Sequence, residues 1–385
     1  MSSTTGSEAR RQRLADTIQN SGDLRSPAWR AAVEVVPRED FLPAGIFQPD
    51  NSGKYTVWKP IRPDTPGYLD LVYEDQSWVT QLDGETIPAQ AAGPVEGAPT
   101  SSSTLPSLVV RMLEELDVED GMNVLEIGTG TGYSTALLCQ RLGSQLVTSI
   151  EVDPEVSGRA AAHLKSAGYD PTLIVGDGLE GVPEQRFDRI IATCSVRVIP
   201  QAWLSQTAVP GGRILTTLWG WMDASALVSV DFDETGHGQG TVLPGMVSFM
   251  PARAHQAPPL PVLPDRAGTS RRTAVTGEVL GDWTARWLAQ LAAPTAQRVQ
   301  YSEAGGRRIL MLDRESDSAA WFAEDGDHWT VSQTGTEQIG DRIEDVVERW
   351  TAAGSPDQST FRVSVTPGRQ TIVHPTLGSW DLPTL

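Results

Sequence analysis

Four short apolar runs, each closed by an acid, a glycine or a serine, punctuate the middle of the chain: VLEIG from Val124, LVTSIEVD from Leu146, TLIVGDG from Thr172 and FDRIIATCS from Phe187. Runs of this length without polar alternation read as strands buried on both faces, and the first two segments between them are long enough for helices. The pattern predicts an α/β fold with a doubly wound, mostly parallel sheet. From Val198 the chain reads as helix, Pro-Gly-Gly turn and strand; runs at Ala226 to Asp233 and Val242 to Met250 complete the sheet, the last as an antiparallel member. Upstream, Leu14 and Ile18, then Trp29, Val33 and Val36, fall at helical spacing. Two short helices therefore follow a polar, frayed tail, parted by SGD and Pro27.

The rhythm changes on both sides of this centre. Residues 1–75 form an N-terminal helical region that includes a Pro/Gly/Asp-rich insertion from Ala44 to Leu71, read equally as an extra wall over a site or as a surface loop. Residues 76–251 carry the strands, and 252–274, rich in Pro, Ala and Arg, read as a linker. The rest, 275–385, predicts an accessory α+β domain. It has an amphipathic helix in GDWTARWLAQL, short alternating runs, a helix bearing Ile343, Val346, Val347 and Trp350, and a final strand pair, FRVSV and QTIVH. Its tryptophans at 283, 287, 321, 329 and 350 are expected in the core.

The candidate chemistry starts at Glu126. The spacing Glu126, Gly128, Gly130, Gly132 is E-x-G-x-G-x-G; the dinucleotide fingerprint would need a third glycine at Tyr133 and is excluded. A strand that breaks into such a turn opens a crevice at the carboxyl edge of the sheet, where a ligand can approach backbone without meeting a Cβ. Glu151 follows about 20 residues beyond the last glycine, where a carboxylate can accept from ribose hydroxyls. Asp177 and Gly178 close the next run. Singly, each acid is equally a helix cap or a solvated strand end. Together at successive strand ends they point to a cofactor.

A formal net charge of −19 argues against nucleic acid, whose phosphates need a Lys/Arg surface, and poses a puzzle for an acidic substrate, which needs local positive charge. No apolar run is long enough to span a membrane and the N-terminus is not signal-like, so a cytoplasmic protein is expected. Cys139 and Cys194 lack metal-ligand spacing and the five histidines are scattered; no metal site is proposed.

The glycine motif resembles the first motif of the S-adenosylmethionine (SAM)-dependent methyltransferases, which implies a Rossmann-like class I fold. VPREDFLP, from Val36, and VYEDQ, from Val72, are similar to N-terminal segments of the protein-L-isoaspartate O-methyltransferase family, and the PGGR turn at Pro210 fits it too. The resemblance covers roughly residues 25 to 250 and leaves the last third unexplained. It implies SAM as cofactor, held by Glu126, Gly128, Thr129, Gly130, Gly132, Tyr133, Glu151, Val152, Asp177 and Gly178, with Asp177 reaching the adenine amino group. It also implies a polar loop presenting a hydroxyl to the accepting carboxylate. Pro106 matches that loop's proline, which puts Thr104 at the family's serine, just after Ser101, Ser102 and Ser103. A hydroxyl at a helix start is also what an N-cap needs, so both readings stand. Ser195, at the end of the fourth run, and Arg197, which departs from the family's small or acidic residue, are candidates for holding a peptide carboxylate; Arg197 reads equally as a solvated loop arginine.

Methyl transfer to a carboxylate, already ionised at neutral pH, needs alignment and no general base. The resemblance allows two acceptors. One is the L-isoaspartyl residue of damaged protein. The other is an aspartate of a cyclised ribosomal peptide, as in longer actinobacterial relatives that tailor lanthipeptides and graspetides, where the ester closes to a succinimide (aspartimide). The insertion, the Ser/Thr run and the extra domain favour tailoring. A third reading is an inactive SAM-binding docking protein.

Overall fold

A computed structural model describes residues 2–303, 305–366 and 368–384. The chain divides into two compact units: residues 1–193 with 205–208 and 212–215, and residues 194–204 with 209–211 and 216–385. This split does not coincide with the expected boundaries at 75/76, 251/252 and 274/275.

The first unit opens with α1 (Ser2–Ser21) and α2 (Pro27–Val35). The expected frayed tail is thus helical from Ser2. Ser26 caps α2 by accepting the Trp29 N–H, Pro27 occupies the first turn, and Trp29, Ala32 and Val33 are buried. The insertion is neither structureless nor a plain loop. It folds into β1 (Ile46–Asp50) and β2 (Val57–Ile61), followed by α3 (Tyr68–Val72). With β3 (Trp78–Leu82) and β4 (Pro99–Ser103) these strands form a small antiparallel sheet of order β2-β1-β3-β4. Phe47, Leu82 and Ala91 fill one face, with Trp58, Val79 and Val95 against them. The polar composition hid this sheet because most side chains of β1 and β2 beyond Phe47 are only partly buried or exposed.

After α4 (Pro106–Leu116) the predicted alternation appears as far as β7: β5 (Val124–Ile127), α5 (Tyr133–Leu142), β6 (Val147–Glu151), α6 (Pro154–Ser166) and β7 (Thr172–Val175); β8 (Arg189–Val196) follows with no helix between. The strands run parallel in the order β8-β5-β6-β7. Every residue of β5 and β6 is buried, as continuous apolar runs require.

After α7 (Gln201–Gln206) and β9 (Arg213–Trp219), β10 (Ser225–Phe232) and β11 (Gly238–Val242) of the second unit form an antiparallel ribbon. The strand expected at Val242 to Met250 ends where it was predicted to begin, because Pro244 and Gly245 interrupt the run. The expected linker contains β12 (Arg271–Thr273), which pairs with a later strand. Helix α8 (Trp283–Ala292) starts at Asp282, whose carboxylate accepts the Ala285 N–H. Strands β13 (Gln297–Glu303), β14 (Gly306–Asp313), β15 (Ser318–Asp325) and β16 (His328–Thr334) make a sheet of order β12-β16-β15-β14-β13. After α9 (Ile339–Ala352), β17 (Arg362–Thr366), β18 (Arg369–His374) and β19 (Gly378–Asp381) extend the ribbon through β11. The final strands therefore do not join the accessory sheet, since β11 offers the edge they pair with. Of the five tryptophans expected in the core, 287, 321, 329 and 350 are buried; Trp283 is half-buried and donates to the Ser225 carbonyl at 2.7 Å.

Candidate active site

The strand-to-helix turn after β5 is held in the left-handed region, with φ of +94° at Gly128, +56° at Gly130 and +90° at Gly132. A Cβ on Gly128 would stand 2.7 Å from Thr193 Oγ1, the hydroxyl that donates to the Gly128 carbonyl at 2.6 Å. Gly130 N–H donates to Glu151 Oε2 at 2.9 Å, and Glu151 Oε1 accepts the Asp153 N–H at 3.1 Å. Glu151 thus ties the turn to the end of β6. The Gly178 Cα is pressed so closely on Ile127 that a Cβ would come within 2.4 Å of it.

Glu126 lies under the turn with no exposure. Its carboxylate accepts from the hydroxyls of Ser134, Thr135 and Ser149, the last at 2.7 Å. Burial pushes it above the ordinary carboxylate range, the three donors opposing the shift. The expectation of direct cofactor contact is corrected to one of loop support. Thr129 Oγ1 likewise turns inward to Ser149 Oγ at 2.7 Å. The Tyr133 ring is buried edge-on against Phe41, centroids 5.9 Å apart, and burial pushes its hydroxyl up to about 12. Only the backbones of these two residues remain for a ligand. Asp177 is exposed, its Oδ1 accepting the Leu179 N–H at 3.0 Å.

The site fits SAM on one further observation. Glu151 and Val175 are register partners at the ends of β6 and β7; Val175 is 57% exposed, and Val152, next to Glu151, is 42% exposed. Uncovered valines at adjacent parallel strand ends, beside one buried and one exposed carboxylate, suit a flat base and its ribose.

The hydroxyl run does not cap α4. The residue before α4 is Leu105, and the helix N–H of Ser107 is accepted by Asp75 at 2.8 Å, while Leu105 N–H donates to Ser77 Oγ at 2.9 Å. VYEDQS therefore supplies the cap from a distance. Ser101, Ser102 and Ser103 belong to β4, correcting the expected loop, and strand alternation sorts them. Ser101 and Ser103 are buried, Ser101 receiving Thr80 Oγ1 at 3.2 Å and Ser103 facing Arg38. Ser102 and Thr104 are half-buried, and neither hydroxyl has a partner among the described residues. The Ser102 carbonyl lies 3.7 Å from where a Gly130 Cβ would be. A cleft of about 30 Å³ is lined by Thr80, Ser101, Gly130, Thr131, Arg159 and His163, so hydroxyl strand and glycine turn share one opening.

Sequence reasoning missed Arg38, although VPRED contains it. Its guanidinium has no exposure and donates to the carbonyls of Val72 (2.8 Å), Glu74 (3.0 Å), Gln76 (3.0 Å) and Thr104 (3.2 Å), and to Ser103 Oγ (3.3 Å). Burial pulls it down to about 10. Arg38 thus clamps VYEDQ to the hydroxyl strand.

Ser195 and Arg197 lie in the second unit with their polar atoms engaged. Ser195 Oγ donates to the Phe249 carbonyl at 3.0 Å. Arg197, 6% exposed, donates to the Pro294 carbonyl at 2.8 Å and stacks 3.7 Å over the Trp221 ring. The solvated-loop reading of Arg197 fails, and its charge is spent on structure.

The family model described as Protein-L-isoaspartate(D-aspartate) O-methyltransferase matches residues 84–237. A protein-L-isoaspartate O-methyltransferase of Staphylothermus marinus is 32% identical over 217 residues, covering 54% of this chain and 79% of the relative. Protein-L-isoaspartate O-methyltransferase 2 of Archaeoglobus fulgidus is 32% identical over 249 residues, 64% of this chain and 94% of the relative. The chain belongs to the protein-L-isoaspartate O-methyltransferase family. It is a SAM-dependent methyltransferase with the class I fold. A solved structure titled protein-L-isoaspartate O-methyltransferase matches with a TM-score of 0.55 at 21% identity, over 95% of this chain and 99% of that one. This likeness, at the level of fold, includes the C-terminal third that the sequence left unexplained. Among the described residues no helix is long and apolar enough to cross a membrane.

Proposed function

We propose that this enzyme transfers a methyl group to the free carboxylate that an L-isoaspartyl residue presents in a peptide or protein, the repair reaction. The supporting observation is the cleft that Ser101 of the hydroxyl strand lines together with Gly130 and Thr131 of the turn, with the Ser102 carbonyl 3.7 Å from the Gly130 Cβ position. SAM supplies an electrophilic methyl. The backbone of the turn, Glu151 and Asp177 hold it, and Val152 and Val175 cover the base. Ser102 and Thr104, whose hydroxyls have no other partner among the described residues, donate to the acceptor carboxylate and aim one oxygen. No base is needed, because the carboxylate is ionised at neutral pH.

The relatives' names support repair over the tailoring that the sequence favoured, and the extra domain no longer separates the two, since the solved structure extends through it. One observation keeps tailoring as a second reading. The insertion starts at Ala44 and Gly45, which line the cleft, and its hairpin adds β1 and β2 on the far side of β3 from β4, extra wall that suits a bulky cyclised peptide.

The test is labelled SAM with matched peptides: linear L-isoaspartyl, linear aspartyl and a cyclised aspartyl peptide. Base-labile label on the isoaspartyl peptide alone supports repair; label on the cyclised peptide alone transfers the assignment to tailoring. Affinity for SAM with no label on any peptide would overturn both and leave the docking protein. The Ser102→Ala/Thr104→Ala double variant is expected to lose about 100-fold in kcat/KM with SAM affinity retained.

A further inference from the structure

The second unit holds a pair of arginines that its many acids leave alone. Several other arginines of this unit meet carboxylates directly: Arg271 with Asp341 and Glu344, Arg307 with Glu278 and Glu324, Arg349 with Asp345, Arg369 with Asp381. Arg286 and Arg298 are half-buried, and their Nε atoms are fully buried with no acceptor. The Arg286 guanidinium has no hydrogen-bond or ion-pair partner among the described residues and lies 5.1 Å over the Trp283 ring. The Arg298 guanidinium, among the described residues, donates only to the Gln300 side chain. In a chain of net charge −19, two withdrawn and unpaired cations on one unit are a departure that calls for an anion.

They converge on one turn. Between β9 and β10, Asp223 takes a left-handed φ of +57° and its N–H closes on the Gly220 carbonyl at 3.1 Å. Gln290, one helical turn beyond Arg286 on α8, accepts the N–H groups of Met222 (3.3 Å) and Ala224 (3.4 Å) and donates to the Ala224 carbonyl at 3.0 Å. On the other side, Arg298 N–H donates to the Trp221 carbonyl at 3.1 Å. Asp223 is the acid whose field reaches both guanidiniums, and Asp282 also acts on Arg286, yet among the described residues neither acid makes an ion pair with them.

We infer that Arg286 and Arg298, set around the Asp223 turn, form a binding site for an oxyanion, a carboxylate or phosphate group, in the second unit. With each Nε covered, the terminal nitrogens are the donors left to meet it, and two guanidiniums offer the charge-assisted contacts that such groups take. Asp223 competes with the ligand for the same charge. Its removal should therefore tighten binding.

The full chain is titrated calorimetrically at low salt with two probes, a tetraglutamate peptide and inorganic phosphate. Binding of tetraglutamate alone assigns the site to acidic side chains, and binding of phosphate alone assigns it to phosphate; either upholds the inference. Arg286→Met and Arg298→Met should each weaken binding by at least about tenfold. Asp223→Asn, which tolerates the left-handed backbone, should strengthen it, and Arg342→Met, which removes an exposed arginine paired with Glu337, should leave it unchanged. SAM affinity in each sample reports that the protein is folded. Failure of both probes to bind, binding that survives both arginine substitutions, or weakening by Asp223→Asn would overturn the inference.

Discussion

Arg38 in the first unit and Arg286 in the second are both guanidiniums withdrawn from water, and the chain treats them in opposite ways. Arg38 is fully buried, yet five carbonyls and a serine hydroxyl surround it. Arg286 is less buried and has no such partner among the described residues. Burial lowers the proton affinity of both. The difference teaches that a buried charge becomes a structural fastener only where backbone has been bent to meet it. Where it has not been, the charge is held ready for something else.

The largest expected effect tests the fastener. Arg38→Met should destabilise the protein by about 4 kcal/mol, since it orphans several buried carbonyls at once, and should abolish measurable methyl transfer because Ser103 and Thr104 lose their anchor. Chemical denaturation with a matched activity assay reads both; an active variant of unchanged stability would remove Arg38 from the comparison. Next, Gly128→Ala places a Cβ against Thr193 Oγ1 on a left-handed backbone, for a loss of roughly 2 kcal/mol and SAM affinity weakened by at least about tenfold. Calorimetric SAM binding checks it.

Glu126 extends the comparison to a withdrawn anion. Its folded-state proton affinity is raised, so the native protein holds the proton above the pH at which the unfolded chain releases it. Its contribution to stability is full below the ordinary carboxylate range and falls as pH rises toward its raised folded-state value. Glu126→Gln should flatten that decline, at an overall cost of about 1–2 kcal/mol from disturbed hydroxyl donors, which denaturation midpoints across a pH series will show. Smallest is Arg286→Met in anion-free buffer: stability should stay within about 1 kcal/mol of the parent or rise, because an unpaired charge gives way to an apolar stem. A loss as large as that of Arg38→Met would mean that Arg286 has a structural partner after all.

Much of the fold was legible because it follows from local pattern. Unbroken apolar runs cannot face water on either side, so β5, β6 and β8 as strands of a mostly parallel sheet were readable from local pattern, whereas their order was not. The three glycines at alternate positions announced the turn for a similar reason: no other residue takes those φ values cheaply. The insertion hairpin was not legible, since β1 and β2 carry Asp50 and Lys59 on one face, while on the other Phe47 and Trp58 are interrupted by Pro49 and Pro60. Nor was the partner of the last strands, because an edge such as that of β11 has no sequence signature.

Within the site, the amino-acid sequence determined which groups are present: an acid ahead of a glycine turn, acids at the next strand ends, and a run of hydroxyls before Pro106. Only the tertiary structure decided what each one does. It turned Glu126, Thr129 and Tyr133 inward, gave the cap of α4 to Asp75, divided the hydroxyls by strand parity, and committed Arg197 to Pro294 and Trp221. The physical reason is that residue type sets what a side chain can donate or accept, whereas the direction of its Cα–Cβ bond and the neighbours it meets depend on chain folded from tens to more than a hundred residues away.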